Sequence, residues 1–194
     1  MTAGPRVAPG GRRELGWFGV AFSRVAGRVN GTGPPNLFTT LGRHPKLFRG
    51  WLRFAGRLMP GGTLPRRDTE LVILRVAHLR DCRYEFEPHV HLAAKVGVTA
   101  ADVDRVVAGP AAEGWSARER AILAAVDELH TDRDLSDGAW ADLRTHLGER
   151  ERIELVLLAA HYEMLATTIT ALRIEPDTRR SPGAPGRRAR GWRR

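Results

Sequence analysis

Residues 64–99 read LPRRDTELVILRVAHLRDCRYEFEPHVHLAAKVGVT, and this stretch decides the fold. Within it, residues 71–79 are apolar on nearly every side of a helix, which predicts a helix buried in the core. Pro65 suits the first turn of that helix, and Gly97 is typical of the end of the helix that follows. We therefore expect a buried helix, closely followed by a second one, at the centre of the fold.

Helix signals continue beyond this stretch. Thr99 with Asp102, and Ser116 with Glu119, have the spacing of residues that cap the first turn of a helix. A long apolar helix is expected over 149–172. No segment alternates between apolar and polar residues over the length of a strand, so the sequence predicts an all-α fold.

The two ends of the chain differ in composition from its middle. Residues 1–35 form a basic extension that we expect to be partly disordered, with a short helix near 15–22 that covers part of the core. Residues 36–178 form the expected folded domain. Residues 179–194 hold seven arginines and no acidic residue, which predicts a disordered tail. Such a tail is usually solvated, and the alternative is a contact with a nucleic acid or an anionic surface.

Charge and cysteine content exclude several classes of protein. The formal net charge is +9 at pH 7, but residues 61–178 carry 21 acidic and 14 basic side chains, which argues against DNA binding as the main function. The single cysteine, Cys82, excludes an intrachain disulfide and fits a reducing cytoplasm, where we expect the protein. No apolar run approaches the roughly 20 residues that span a bilayer, so no membrane insertion is expected.

Three side chains in the second helix could carry chemistry. Cys82, Glu85 and His89 are spaced so that they share one face of a continuous helix. A thiol, a carboxylate and an imidazole on one face can act as nucleophile, acid or base, and proton shuttle. Glu70 lies on the buried helix, where an ionised carboxylate is unfavourable unless it is paired. The plainer interpretation is a surface Glu–His pair beside a buried structural cysteine.

Pro88 leaves the geometry of this face open. Inside a helix it would remove the hydrogen bond to the carbonyl of Tyr84 and kink the chain. Either the helix begins near Glu85, with Pro88 in its first turn, or a kink lies beneath the proposed site. In the first case Cys82 would precede a helix N-terminus, where a thiolate is favoured.

The spacing Glu70-x11-Cys82-x2-Glu85-x3-His89 resembles the carboxymuconolactone decarboxylase-like superfamily, which includes the alkylhydroperoxidase D proteins. The resemblance covers roughly residues 36–176. It implies the all-α alkylhydroperoxidase D-like fold and assembly into homotrimers or homohexamers. Alkylhydroperoxidase D proteins have a second cysteine where this chain has Glu85. Between the two cysteines those proteins can have a histidine, and this chain has Tyr84 at that position. A dithiol cycle within one subunit is therefore excluded.

The resemblance and the residues together predict cofactor-free acid–base chemistry on a small organic acid or lactone. Glu85 and His89 would exchange protons with the substrate, Glu70 would orient His89, and Cys82 would fill space. Two alternatives stay open: a peroxidase-like antioxidant that uses Cys82 alone, with an external thiol to resolve it, and a non-catalytic oligomeric binding module.

Further candidates concern binding rather than catalysis. The candidate substrate-binding residues are Tyr84, Arg83 and His161. For His161 and its neighbour Tyr162 the choice lies between core residues and a lining of the same pocket. His89 and His91 lie about 200° apart on a helix, so a shared metal ion is not expected, and neither is a cofactor.

Overall fold

The computed structural model describes residues 4–29 and 31–177, and within them the chain is helical without a strand. The predicted tail, 179–194, lies outside the described residues. In chain order the helices of the described part are α1 (Arg12–Val29), α2 (Asn36–Leu41), α3 (Pro45–Leu58), α4 (Arg66–Leu79), α5 (Arg83–Ala94), α6 (Ala100–Ala108), α7 (Ala117–Thr131), α8 (Asp137–His146) and α9 (Glu149–Leu172). The all-α prediction is confirmed.

Helix α4 is the centre of the fold. It packs against α5, α6, α7 and α9, and every residue from 68 to 77 is buried. Because neighbours cover all sides of the helix, its sequence lacks a polar face. The predicted buried helix is confirmed, and the polar residues it carries must find partners inside the protein.

Two predicted caps fix the ends of the helices around α4. Thr99 and Asp102 form a reciprocal capping box at the start of α6, and Ser116 and Glu119 form another at the start of α7. Each box satisfies backbone N–H groups that the first turn leaves without partners.

Helix α9 begins and ends where the sequence predicts. Its length and mean hydropathy of 1.5 would also suit a membrane span. In the structure it packs against α3, α4, α7 and α8 with its buried face inward. Its apolar character is therefore accounted for by a core position.

The basic extension contributes a helix to the fold. Helix α1 covers more of it than the predicted 15–22 and is interrupted at Gly16, whose φ of 63° favours glycine. The ring of Phe22 lies 5.3 Å from that of Phe38 and 5.9 Å from that of Phe48. These contacts place α1 against α2 and α3.

The first of the two arrangements expected around Pro88 is confirmed for Cys82, which precedes the helix, but is wrong for Pro88, which lies beyond the first turn. The helix begins at Arg83, two residues before Glu85, with Cys82 as its N-terminal cap, and Pro88 lies in the second turn. Because Pro88 has no N–H, the carbonyl of Tyr84 loses its helical donor. Cys82 precedes the helix and does not share its face.

Candidate active site

A cavity of about 420 Å³ lies between α1, α2, α3, α5 and α9. Apolar side chains form most of its described lining, and neither lysine nor arginine occurs there. Its titratable lining residues in the described part of the chain are Tyr84, Glu85, His89, His161, Tyr162 and Asp177. The cavity is therefore an apolar chamber with a few polar groups, as is usual for small-molecule sites.

His89 is held from behind by Glu70. The Nδ1 atom of His89 lies 2.7 Å from Oε2 of Glu70, which is fully buried. Glu70 also accepts a hydrogen bond of 2.7 Å from Arg66 through its other oxygen. A carboxylate only accepts, so this contact places a proton on Nδ1 of His89. Glu70 does not line the cavity but positions the imidazole that does.

The other nitrogen of His89 faces two protic side chains. Nε2 lies 3.4 Å from the hydroxyl of Tyr162 and 3.6 Å from Oε2 of Glu85. The rings of Tyr162 and His89 meet edge to face, with centroids 5.4 Å apart. Because Glu85 and His89 are one helical turn apart, α5 itself brings them together. The cavity thus contains an imidazole, a carboxyl group and a phenol in contact range.

Burial favours the protonated forms of the two neighbours of His89. It raises the pKa of Glu85, an effect that His89 partly offsets and Asp177 increases. Burial also raises the pKa of Tyr162, and the carboxyl groups of Glu85 and Glu70 raise it further. A carboxyl group with a raised pKa stays protonated to a higher pH than a free one, as a proton donor requires.

Cys82 lies on another side of the site. It is 4% exposed, packs in the apolar core formed by α4, α7 and α9, and is absent from the described lining of the cavity. Burial raises the pKa of its thiol, and the charge of Glu85 raises it further. Hydrogen bonds from backbone N–H groups lower this pKa but do not outweigh burial. The thiol is therefore shielded and favoured in its protonated form.

The three candidate substrate-binding residues occupy different places. Arg83 is exposed, donates to Glu87 at 3.0 Å and lines a separate cavity of about 280 Å³. Tyr84 lies between the two cavities, where its hydroxyl accepts from the N–H of Leu37 and donates to Asp177. His161 is buried in the wall of the larger cavity. Of the three, Tyr84 and His161 reach the cavity of His89.

Sequence reasoning missed Trp51 and Asp177 as cavity residues. Trp51 reads as an apolar position of an amphipathic helix, and Asp177 follows the last helix, so neither carried a local signal. Among the described residues no group of three or more His, Cys, Asp or Glu side chains is arranged to hold a metal ion.

The comparisons with known proteins agree with the helical fold. Residues 45–128, which include Glu70 and His89, match the model of the Carboxymuconolactone decarboxylase family. An uncharacterised peroxidase-related protein from Ralstonia eutropha JMP134, with an alkylhydroperoxidase AhpD core, is similar in structure at a TM-score of 0.78. The match covers 91% of this chain and 94% of that one at 17% identity. The chain is thus similar to this family over residues 45–128 and shares its fold with AhpD-like proteins.

Other members of the fold have different described activities. The debrominase Bmp8 matches at a TM-score of 0.74 and 19% identity, covering 88% of this chain and 91% of its own. A cysteine-to-alanine variant of Bmp8 in complex with 2,3,4-tribromopyrrole matches at 0.73 and 18% identity, covering 87% and 90%. No curated protein matches the chain in sequence. The carboxymuconolactone decarboxylase-like fold is thus shared among proteins of different activity.

Proposed function

We propose that the protein catalyses cofactor-free proton transfer on a small neutral molecule, of which a lactone is the representative. One observation carries this proposal: buried Glu70 holds Nδ1 of His89 at 2.7 Å, while Nε2 faces Tyr162 and Glu85 in an apolar cavity. An oriented imidazole beside a protonated carboxyl group is a base next to an acid.

The proposed reaction moves one proton along the substrate. Nε2 of His89 removes a proton from the carbon next to the carbonyl, and the Tyr162 hydroxyl donates a hydrogen bond to the resulting enolate oxygen. The protonated Glu85 then delivers a proton to a second carbon of the conjugated system. Glu85 regains its proton from the imidazolium of His89, which lies 3.6 Å away. The substrate is isomerised, and no electron or group is gained or lost.

The charge of the cavity favours a lactone over an organic acid. Arg83 was a candidate substrate-binding residue, but it pairs with Glu87, and no arginine belongs to the described lining of the cavity. Two carboxyl groups, Glu85 and Asp177, belong to it instead. A buried anion without a cationic partner is strongly unfavourable. The ligand of the Bmp8 variant, 2,3,4-tribromopyrrole, is likewise a small ring without a carboxylate.

The environment of Cys82 supports acid–base chemistry over peroxide reduction. Fast reaction with peroxide requires an accessible thiolate. Cys82 is buried, and burial raises the pKa of its thiol. The carboxyl group of Glu85 opposes ionisation further.

The test uses α-angelica lactone, a neutral five-membered lactone with an acidic carbon next to its carbonyl. Proton transfer converts it to β-angelica lactone, which proton NMR distinguishes. We expect the wild type to accelerate this conversion, and His89→Ala to lower the rate by about a hundredfold or more. His91→Ala is the matched control, because His91 is exposed on the same helix outside the described lining of this cavity.

Two results would contradict the proposal. One is a wild-type rate no greater than that of buffer with this lactone. The other is an equal rate in the wild type and in folded His89→Ala, which would show that another group moves the proton. Loss of the rate in Cys82→Ser with retention in His89→Ala would instead support a thiol reaction.

We also propose that the protein self-associates into trimers or multiples of trimers. Three apolar side chains of α9 remain open to solvent: Ile153 at 54%, Leu157 at 44% and Met164 at 47% exposure. Their spacing places them on one face of the helix, which a second copy would cover. Light scattering should give a multiple of three times the 21.5 kDa chain. A mass of one chain would contradict this proposal.

A further inference from the structure

Two aromatic side chains stack in the wall of the cavity. The rings of Trp51 and His161 lie nearly parallel, at 19°, with centroids 6.0 Å apart. His161 also contacts Tyr162, with centroids 5.4 Å apart, and Tyr162 in turn contacts His89. A continuous row of rings therefore leads along the cavity wall from the proton-transfer group to Trp51.

Each stacked ring carries a nitrogen without a protein partner. Neither Nε1 of Trp51 nor Nδ1 of His161 has a hydrogen bond within the described part of the chain, and both atoms are buried. The fold treats another buried tryptophan differently: the indole of Trp115 donates to the carbonyl of Gly109 at 3.1 Å. Because a buried polar group without a partner is unfavourable, two such atoms side by side in a cavity wall call for a partner.

The chemistry of the two rings defines that partner. The indole N–H of Trp51 only donates, so it requires an acceptor atom, and Nδ1 of His161 donates to the same acceptor in the tautomer that carries its proton there. Burial lowers the pKa of His161 to about 4, so its ring is neutral near pH 7 and attracts no anion by charge. Neither lysine nor arginine lines this cavity among the described residues. The partner is therefore a neutral acceptor.

We propose that Trp51 and His161 form a second subsite, which binds a neutral carbonyl group of the substrate. The proposal rests on the proposed function, since the same molecule places its acidic carbon at His89. The row of four rings is longer than a single five-membered lactone, so the natural substrate is an extended or bicyclic neutral molecule with a second carbonyl. Both nitrogens are shielded from solvent in the unliganded protein, so we expect the rings to turn toward the bound group.

The test compares two probes of the same shape. 2-Acetylnaphthalene carries a carbonyl group where 2-isopropenylnaphthalene carries a methylene group, and both are neutral. Their dissociation constants are measured for the wild type, for Trp51→Phe and for Trp140→Phe. Trp140 is the matched control, because it lies on α8, stacks under Arg152 and is outside the described lining of the cavity.

We expect Trp51→Phe to weaken 2-acetylnaphthalene binding by about five- to tenfold, as the loss of one hydrogen bond implies. The affinity for 2-isopropenylnaphthalene should change by less than about twofold, and Trp140→Phe should change neither. In a ¹H–¹⁵N spectrum, the indole N–H of Trp51, assigned with the variant, should move downfield on addition of the acetyl probe only. His161→Phe should also weaken binding of the acetyl probe selectively.

The subsite is overturned if Trp51→Phe weakens both probes alike, since Trp51 is then only an apolar wall. It is also overturned if the variant affects neither probe, if the acetyl probe does not bind, or if the anion 2-naphthoate binds more tightly than the ketone. His89→Ala separates this proposal from the proposed function. If the wild type binds the ketone but isomerises the lactone no faster than His89→Ala does, the proton-transfer reaction is contradicted and the subsite stands.

Discussion

Helix α4 carries two sets of buried charged side chains that differ in their partners. On the side of α6 and α7, every pair joins an arginine to a carboxylate. These pairs are Arg67 with Asp102 and Glu119, Asp68 with Arg118, and Arg75 with Asp127. On the side of α5, Glu70 pairs with the imidazole of His89 as well as with Arg66. An arginine keeps its charge at any physiological pH, whereas an imidazole gains and loses a proton near pH 7.

The pKa shifts follow this division. Burial would raise the pKa of Asp102 and of Glu119, but hydrogen bonds from Arg67 and from their capping partners outweigh burial, and both pKa values are lowered. In the described part of the chain Glu85 pairs with His89 and with no arginine, and burial raises its pKa. Asp68 departs from this pattern, because burial raises its pKa despite the hydrogen bond from Arg118. Asp102 and Glu119 are therefore fixed charges that join helices, and the cavity side holds groups whose protons can move.

The largest expected effect is that of Glu70→Gln on the isomerisation rate. The amide can donate to Nδ1 of His89, which reverses the tautomer and places the proton on Nε2. We expect the isomerisation rate to fall by about a hundredfold or more. Asp68→Asn, two residues away on the same helix, is the control and should retain the rate while the protein is folded. Equal rates in the wild type and Glu70→Gln would remove the distinction between the two sides.

The next effect concerns stability on the other side of α4. Arg118 joins Asp68, Glu151 and the carbonyl of His146. Arg118→Ala leaves buried Asp68 without its cation, and we expect a loss of about 3 kcal/mol in the free energy of unfolding, measured with urea. The exposed pair of Arg83 and Glu87 gives the control, where Arg83→Ala should cost less than about 0.5 kcal/mol. Similar losses in both variants would show that burial of the pair is unimportant.

A third effect is the dependence of stability on pH. The folded-state pKa of Glu85 is raised above its ordinary value of 4.5, so the folded protein keeps a proton that the unfolded chain releases. This group therefore costs stability as pH rises above 4.5 towards its folded pKa. Glu85→Gln removes that cost, so urea unfolding should show the variant gaining stability relative to the wild type as pH rises above 4.5 towards the folded pKa of Glu85. A constant difference over this range would argue against a protonated Glu85.

The smallest expected effect is that of Cys82→Ser on the isomerisation rate. Because Cys82 packs in the core outside the described cavity lining, we expect the variant to retain the isomerisation rate within about threefold. The hydroxyl should lower stability by about 1 kcal/mol, because it enters an apolar environment. Rapid oxidation of wild-type Cys82 by micromolar peroxide, with turnover supported by added thiol, would favour the peroxidase alternative.

The sequence predicted what depends on local spacing. The caps at Thr99 and Ser116 follow from short-range hydrogen bonds, and the meeting of Glu85 with His89 follows from one helical turn. The position of Cys82 stayed open between two arrangements, because it depends on where α5 begins. One residue outside the helix, the thiol turns into the core and leaves the face of Glu85 and His89.

The cavity wall depends on contacts that are distant in sequence. Trp51, on α3, meets His161 across the fold, and nothing near either residue in the sequence marks the pairing. The apolar run at 15–22 predicts a helix that covers part of the core, but not that Phe22 meets Phe38 and Phe48 on later helices. Such contacts follow from tertiary packing and leave no periodic signal in one chain.

Whether a base faces the cavity is tested most directly by measuring which nitrogen of His89 carries the proton. A long-range ¹H–¹⁵N correlation spectrum of the histidine side chains distinguishes the two neutral tautomers, and His89→Ala assigns the signal. We predict that neutral His89 carries its proton on Nδ1, with a downfield proton signal from the 2.7 Å contact with Glu70, and that Nε2 is free of a proton. A proton on Nε2 of neutral His89 would contradict the account, because no base would then face the cavity.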